Sequence, residues 1–162
     1  MKIKEMICTE CKKQIKGKDF FYIDGSPVCY KCIFGDIEPV FIYPIGFVKF
    51  NQHGRNAIIR LYPQQERFMH RLEDEREICV IYYLHEINSI KTVFNRGRKS
   101  DGKEVGVFAS RTPHRTSRIG ITNVGLLSIS GLDLYVSGLD AFEGSPVLDI
   151  KVVQKRSEKT RY

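Results

Sequence analysis

Past residue 40 the chain is written in short runs of alternating apolar and polar residues, at 41–50, 56–62, 78–85, 105–109, 123–129, 132–136 and 147–153. A period of two places one face of each run against a core, so these segments are expected to be strands. Glycines at 97, 102, 125, 131, 138 and 144 punctuate them, consistent with turns or bulges. Only 64–75, with Phe68 and Leu72 four apart, invites a helix. The expected fold class is mainly β, and a barrel is favoured because closure removes exposed edges.

The first 38 residues follow a different rule. Cys8-x-x-Cys11 and Cys29-x-x-Cys32 are separated by seventeen residues, a spacing that suits four thiolates around one tetrahedral zinc. Between the pairs, Phe20 to Ile23 and Pro27-Val28 flank Asp24-Gly25-Ser26, which predicts a β-hairpin. So short a segment cannot bury enough apolar surface to fold alone, and a bound metal would provide the missing stability. Four thiolates leave no position open for water, which makes the expected Zn²⁺ site (Cys8, Cys11, Cys29, Cys32) structural. Two disulfides would need an oxidising compartment, and redox use of the C-x-x-C pairs would need a βαβ context that is absent. The wording resembles zinc-ribbon or LIM-like modules, which commonly hold protein or RNA partners. The fifth cysteine, Cys79, sits in the apolar run 78–84 and is expected to pack as a buried thiol. The division expected along the chain is a metal module at 1–38, a barrel domain at 39–153 and a basic tail at 154–162.

Charge adds a partner class. The formal net charge is +7, and four thiolates with one Zn²⁺ still leave the chain basic. Cations cluster at Arg96, Arg98, Lys99 and Lys103, at Arg111, Arg115 and Arg118, and at Lys151, Lys155, Arg156, Lys159 and Arg161. Such patches neutralise phosphates, and the bland alternative is a solvated basic face. Tyr82, Tyr83 and Phe142 are candidates either for stacking on an extruded base or for the barrel core. The N-terminus opens without an apolar leader and no run is long enough to span a membrane, which predicts a cytoplasmic protein with no membrane partner. No dinucleotide fingerprint, phosphate-binding loop, HExxH or G-x-S-x-G is present, which argues against a Rossmann-type enzyme.

The densest chemistry lies between Val105 and Lys151. Arg111-Thr112-Pro113-His114-Arg115 places two guanidiniums and an imidazole around a proline, a stiffened loop suited to anions. Further on, Gly138-Leu139-Asp140-Ala141-Phe142-Glu143-Gly144-Ser145-Pro146 is a turn-rich acidic segment feeding the strand that carries Asp149 and Lys151. Together the run from Gly106 to Arg115 with Ile119-Gly120, and Gly138 to Ala141 with Gly144 and Pro146 to Lys151, closely resemble the hallmarks of the TrmO/TsaA-like (VirR-like) family, approximately GVFATRSPHRPNPIGLS and GLDALDGTPVLDIKPY. Pro44 to Val48 resembles the family's opening strand and Ile81 to Glu86 its aromatic strand ending in histidine. The resemblance covers roughly 40–153.

That resemblance implies a single-sheeted barrel, generally dimeric, that uses S-adenosylmethionine to methylate N6 of threonylcarbamoyladenosine beside the tRNA anticodon. It implies cofactor contacts at His85, Glu86, Arg111, Ile121, Leu139, Asp140, Ala141 and Phe142. His114, Arg115, Arg118 and Lys151 are candidates for substrate phosphate, with loop shaping as another role for these cations. The expected partners are tRNA and a second copy of the chain. The sulfonium methyl is already activated, so alignment and water exclusion should dominate catalysis. Asp140, Asp149 and His85 are the candidate acceptors of the N6 proton. Two departures stand out: Thr116-Ser117-Arg118 replaces the family's Pro-Asn-Pro, and 50–55 lacks its Pro-Arg-Gln wording. The alternatives are therefore a methyltransferase of the same fold with another acceptor, and a non-catalytic module binding RNA or protein.

Overall fold

The computed structural model describes residues 6–15, 17–52, 55–95 and 103–154. In chain order the strands are β1 (Met6–Ile7), β2 (Gln14–Ile15), β3 (Phe20–Ile23), β4 (Ser26–Cys29), β5 (Gly46–Asn51), β6 (Ala57–Leu61), β7 (Glu77–Tyr83), β8 (Ser89–Ile90), β9 (Val93–Asn95), β10 (Glu104–Gly106), β11 (Ile119–Ser130), β12 (Asp133–Ser137) and β13 (Pro146–Val152). One short helix, α1 (Tyr30–Phe34), follows β4. The chain divides into two compact units, Met1–Phe41 with Glu86–Arg118, and Ile42–His85 with Ile119–Tyr162. These units interleave along the chain. The segment responsible is 86–118.

The larger unit is a closed antiparallel barrel in the order β11-β12-β6-β5-β13-β7. Its strands alternate as the pattern predicts. Val48, Ala57, Ile59, Leu61, Ile78, Val80, Tyr82, Val124, Leu134, Val136 and Val147 point inward and are buried. Each valine, leucine or isoleucine among them contributes about 1.5–3 kcal/mol by leaving water. Gly120 pairs with Tyr82 across β11 and β7, and a Cβ at this position would clash with the edge of the tyrosine ring. Only glycine leaves room for the ring there. A bulge between Val48 and Phe50 turns Lys49 toward the buried Asp133, 3.2 Å away. Arg60 pairs with the same carboxylate through two nitrogens.

The smaller unit holds a three-stranded sheet in the order β4-β3-β8 and the hairpins β1-β2 and β9-β10. Asp24 and Gly25, at φ of 47° and 83°, form the two-residue turn between β3 and β4. Both central residues lie at positive φ, the type I′ geometry that Asp-Gly favours, and the hairpin expected here is present. Phe21 stacks on Tyr30 at 5.1 Å and meets Phe34 edge-on at 6.3 Å. β3 also pairs with β8 in parallel, Tyr22 opposite Ser89 and Ile23 opposite Ile90.

Several expectations need correction. The helix at 64–75 is instead two 3₁₀ turns, Pro63–Phe68 and Leu72–Asp74, separated by Arg71 at φ 63°. Leu72 packs on the core while Phe68 is 74% exposed, so the two do not share a buried face. The strand at 105–109 ends at Gly106, and Val107–Ala109 is a 3₁₀ turn held by the Ser110 hydroxyl donating to Val107 O at 2.8 Å. Cys79 is half-buried, because β7 turns Ile78 and Val80 inward and the residue between them outward. Of the three aromatics weighed for core or stacking, Tyr82 is core, Tyr83 half-buried and Phe142 63% exposed. Among the described residues no helix is long and apolar enough to cross a membrane.

Candidate active site and metal centre

The four cysteines of the spaced pairs converge. All four sulfurs lie within 4.8 Å of one another, with Cys8 to Cys32 and Cys11 to Cys29 each at 3.8 Å. A tetrahedral ion with sulfurs at about 2.3 Å requires sulfur–sulfur edges of about 3.8 Å, so the donor set fits such an ion. The β1-β2 hairpin supplies the first pair and the end of β4 with α1 the second. Backbone N–H groups of Cys29 and Cys11 hold the Cys8 thiol down at about 6. The Cys32 thiol, hydrogen-bonded to Cys29 and shielded from water, is held up at about 12. Four thiolates this close repel one another, and a divalent cation at their centre removes that repulsion.

Within the barrel unit, the turn from Gly138 to Ser145 is fixed from several sides. The Asn51 amide donates to Leu139 O at 3.1 Å and to Ala141 O at 2.6 Å. The Tyr82 hydroxyl donates to Asp140 O and lies 3.2 Å from Thr122 Oγ1. Gly144 N–H donates to Val48 O at 2.8 Å and Ser145 N–H to Phe142 O at 3.1 Å. Leu139 and Ala141 are buried, which directs Asp140 and Phe142 into solvent. His85, at the end of β7, is half-buried with Nδ1 3.2 Å from the hydroxyl of the buried Ser145. Ile121, on β11, is 59% exposed. The larger unit thus carries His85, Ile121, Leu139, Asp140, Ala141 and Phe142, whereas Glu86 and Arg111 belong to the smaller.

Asp149 and Lys151 are engaged locally. One Asp149 oxygen accepts the Ile150 N–H at 2.9 Å, the other pairs with Lys151 Nζ at 2.6 Å, and this pairing raises the lysine's pKa.

In the smaller unit the basic loop is self-organised. Arg115 Nε donates to Thr112 O at 3.1 Å and Nη2 to Ser110 O at 2.8 Å, so its guanidinium shapes the loop. Arg118 sits at φ 49°, a conformation closed to proline, and its guanidinium lies 4.8 Å from the Phe21 ring centroid. His114 Nδ1 lies 3.0 Å from Ser89 O and 3.1 Å from Ser89 Oγ. Arg111 is exposed and has no partner among the described residues. Of the basic clusters, Arg96, Arg98, Lys99, Lys155, Arg156, Lys159 and Arg161 lie outside the described residues.

Comparison with known proteins now decides the family. The profile of the tRNA-methyltransferase O N-terminal domain matches residues 49–158, more than half of the chain. The chain belongs to the tRNA-methyltransferase O family. Among its relatives, a probable S-adenosyl-L-methionine-binding protein of Archaeoglobus fulgidus is 39% identical over 93 residues, 57% of this chain and 25% of that protein. A second protein of that description, from Methanothermobacter thermautotrophicus, is 40% identical over 95 residues, 57% of this chain and 66% of the relative. The human tRNA (adenine(37)-N6)-methyltransferase is 31% identical over 93 residues, 57% of this chain and 21% of that enzyme. The chain thus spans a quarter or less of the A. fulgidus and human relatives. The crystal structure of TrmO from Pseudomonas aeruginosa shares the fold at a TM-score of 0.57 and 22% identity, over 76% of this chain and 62% of that one.

Within the tRNA-methyltransferase O family match lie the turn 138–145, His85 and the basic loop, while the four cysteines precede it. Asn51, Thr122 and Ser145 carry no functional pattern in the sequence, and Tyr82, a stacking candidate there, instead supports the turn. Tyr82 is indistinguishable there from a core aromatic, and Asn51 follows no pattern. The one available signal was Gly120, a glycine inside a strand.

Proposed function

We propose that this chain is an S-adenosylmethionine-dependent methyltransferase acting on N6 of threonylcarbamoyladenosine at position 37 of tRNA, as a cytoplasmic homodimer with Zn²⁺ in the Cys8, Cys11, Cys29 and Cys32 site. Family membership carries the reading, supported by the relatives' names for cofactor and reaction. The observation of the site that agrees with it is the turn 138–145, whose backbone is fixed by Asn51 and Tyr82 while Phe142 projects outward. A flat aromatic side chain and pinned backbone groups suit a ligand with an adenine ring.

When bound, S-adenosylmethionine supplies a methyl on a positively charged sulfur, ready for in-line transfer. The chain's task is then placement. Asn51 and Tyr82 hold the turn still, so no binding energy is spent ordering it. Transfer to N6 would break the methyl–sulfur bond, leaving its electron pair on sulfur, and would require N6 to lose its proton, for which the exposed Asp140 carboxylate is the acceptor we favour. Asp149 is the poorer candidate because Ile150 N–H and Lys151 already use its oxygens. His85 serves as a support of the turn through Ser145. Arg111 offers an exposed guanidinium to a carboxylate or phosphate.

A second acceptor is the runner-up, and one observation favours it: the loop at 116–118 follows a path that proline at 118 could not take. Equilibrium dialysis of the zinc-loaded chain against labelled S-adenosylmethionine should show saturable uptake, weakened in Arg111→Ala. No uptake would return the chain to the reading of a non-catalytic binding module.

A further inference from the structure

The loop 107–118 has little of its own to hold it in shape. None of its residues is buried, its regular structure is one 3₁₀ turn, and Pro113 is its single proline. Burial cannot order it. Arg115 ties the loop to itself, the His114 ring stacks on Phe94 at 5.8 Å, and three further contacts run to the segment 89–92. Val107 N–H donates to Thr92 O at 3.0 Å, Lys91 N–H donates to His114 O at 3.3 Å, and His114 Nδ1 lies 3.0 Å from Ser89 O and 3.1 Å from its hydroxyl.

Segment 89–92 is in turn held by the metal module. Ser89 and Ile90 pair with Tyr22 and Ile23, a two-residue parallel pairing too short to persist unaided. Asp24 completes it from the hairpin turn. Its N–H donates to Ile90 O at 2.9 Å, and its carboxylate accepts Thr92 N–H at 3.2 Å and Thr92 Oγ1–H at 2.5 Å. A separate strut bypasses this segment, with the Arg118 guanidinium over the buried Phe21 ring and its Nη1 donating to Ile87 O at 3.3 Å. Phe21 and Asp24 lie on or beside β3, whose partner β4 ends at the ligand position Cys29.

We infer that the N-terminal thiolate module is an internal brace for the loop 107–118, with Asp24 and Phe21 as positioning residues that hold Arg111 and His114 in their working arrangement. The module's task is then intramolecular, reaching the basic loop through β3, β8 and Thr92. This deepens the methyltransferase reading and rests on it for any effect on turnover, while the brace itself can be observed without turnover.

Hydrogen–deuterium exchange of the full-length chain tests it, with Zn²⁺ content measured alongside. In Thr92→Val, which removes the hydroxyl donor and leaves the hairpin untouched, amide exchange across 107–118 should rise about threefold to tenfold while Zn²⁺ stays bound. Phe21→Leu should have the same effect near Arg118, and chelation of the metal a larger one. Exchange in β5, β6, β11 and β12 should not change in the two variants. Unchanged exchange at 107–118 in both variants and after chelation would overturn the brace. In methyl-transfer kinetics, Thr92→Val should raise KM more than it lowers kcat, and Thr92→Ser, which keeps the hydroxyl, should restore it. A wild-type chain that transfers no methyl but shows the predicted exchange would sink the enzymatic reading and leave the brace standing.

Discussion

The two compact units hold themselves together by different means. The barrel buries a continuous set of aliphatic side chains, among them Val48, Ile59, Ile78, Val80, Leu134 and Val136 with no exposed surface. In the smaller unit the buried apolar set among the described residues is Cys8, Phe21, Val28 and Ile90, and one of these is a metal-ligand candidate. Burial specifies the first, whereas the second relies on thiolates, a type I′ turn and point contacts such as Asp24 to Thr92. The lesson is that the barrel should tolerate loss of any single polar contact, and the smaller unit should not.

The largest way to break that comparison is removal of the metal. Chelation, or Cys29→Ser, should unfold the N-terminal module, since tetrathiolate zinc supplies on the order of 10 kcal/mol to such modules. The barrel should keep a cooperative thermal transition, read by calorimetry. Loss of both transitions together would mean that the units are energetically one.

The barrel's counterpart is Leu134→Ala, which should destabilise it by about 2–5 kcal/mol in denaturant titration, with Zn²⁺ affinity unchanged. Smaller is Asp133→Asn. Arg60 and then Lys49 hold the Asp133 carboxyl down at about 2, against an ordinary 3.8. A lowered folded-state pKa contributes stability that is present above the ordinary value and is lost as pH falls between the two. Wild type should therefore lose stability below pH 3.8 more steeply than the asparagine variant. At neutral pH the substitution should cost about 1–2 kcal/mol, since both cations are half-exposed. Asn51→Ala should be mildest for stability, at about 1 kcal/mol, yet it should weaken cofactor binding by freeing the turn 138–145.

What could be read from the sequence follows the same divide. The alternation of Ile78, Val80 and Tyr82 announces a strand, and the spacing of Cys8, Cys11, Cys29 and Cys32 announces a metal site, because each is a local regularity. Asp24-Gly25 announces its turn for the same reason. The pairing of β3 with β8 joins segments far apart in sequence and is too short to leave a period. It was invisible, and with it the membership of 86–118 in the smaller unit. The left-handed turn at Arg118 replaces proline rigidity with a contact to Phe21, a tertiary solution with no local signature. In 64–75 a helical spacing misled, since Phe68 faces solvent and Arg71 adopts positive φ.

The central claim is tested most directly by incubating the zinc-loaded chain with methyl-labelled S-adenosylmethionine and tRNA from cells lacking this protein, then analysing the nucleosides by mass. Label on threonylcarbamoyladenosine, with none on tRNA that lacks the threonylcarbamoyl group, is the predicted result. Label on another nucleoside, or no transfer at all, would contradict it.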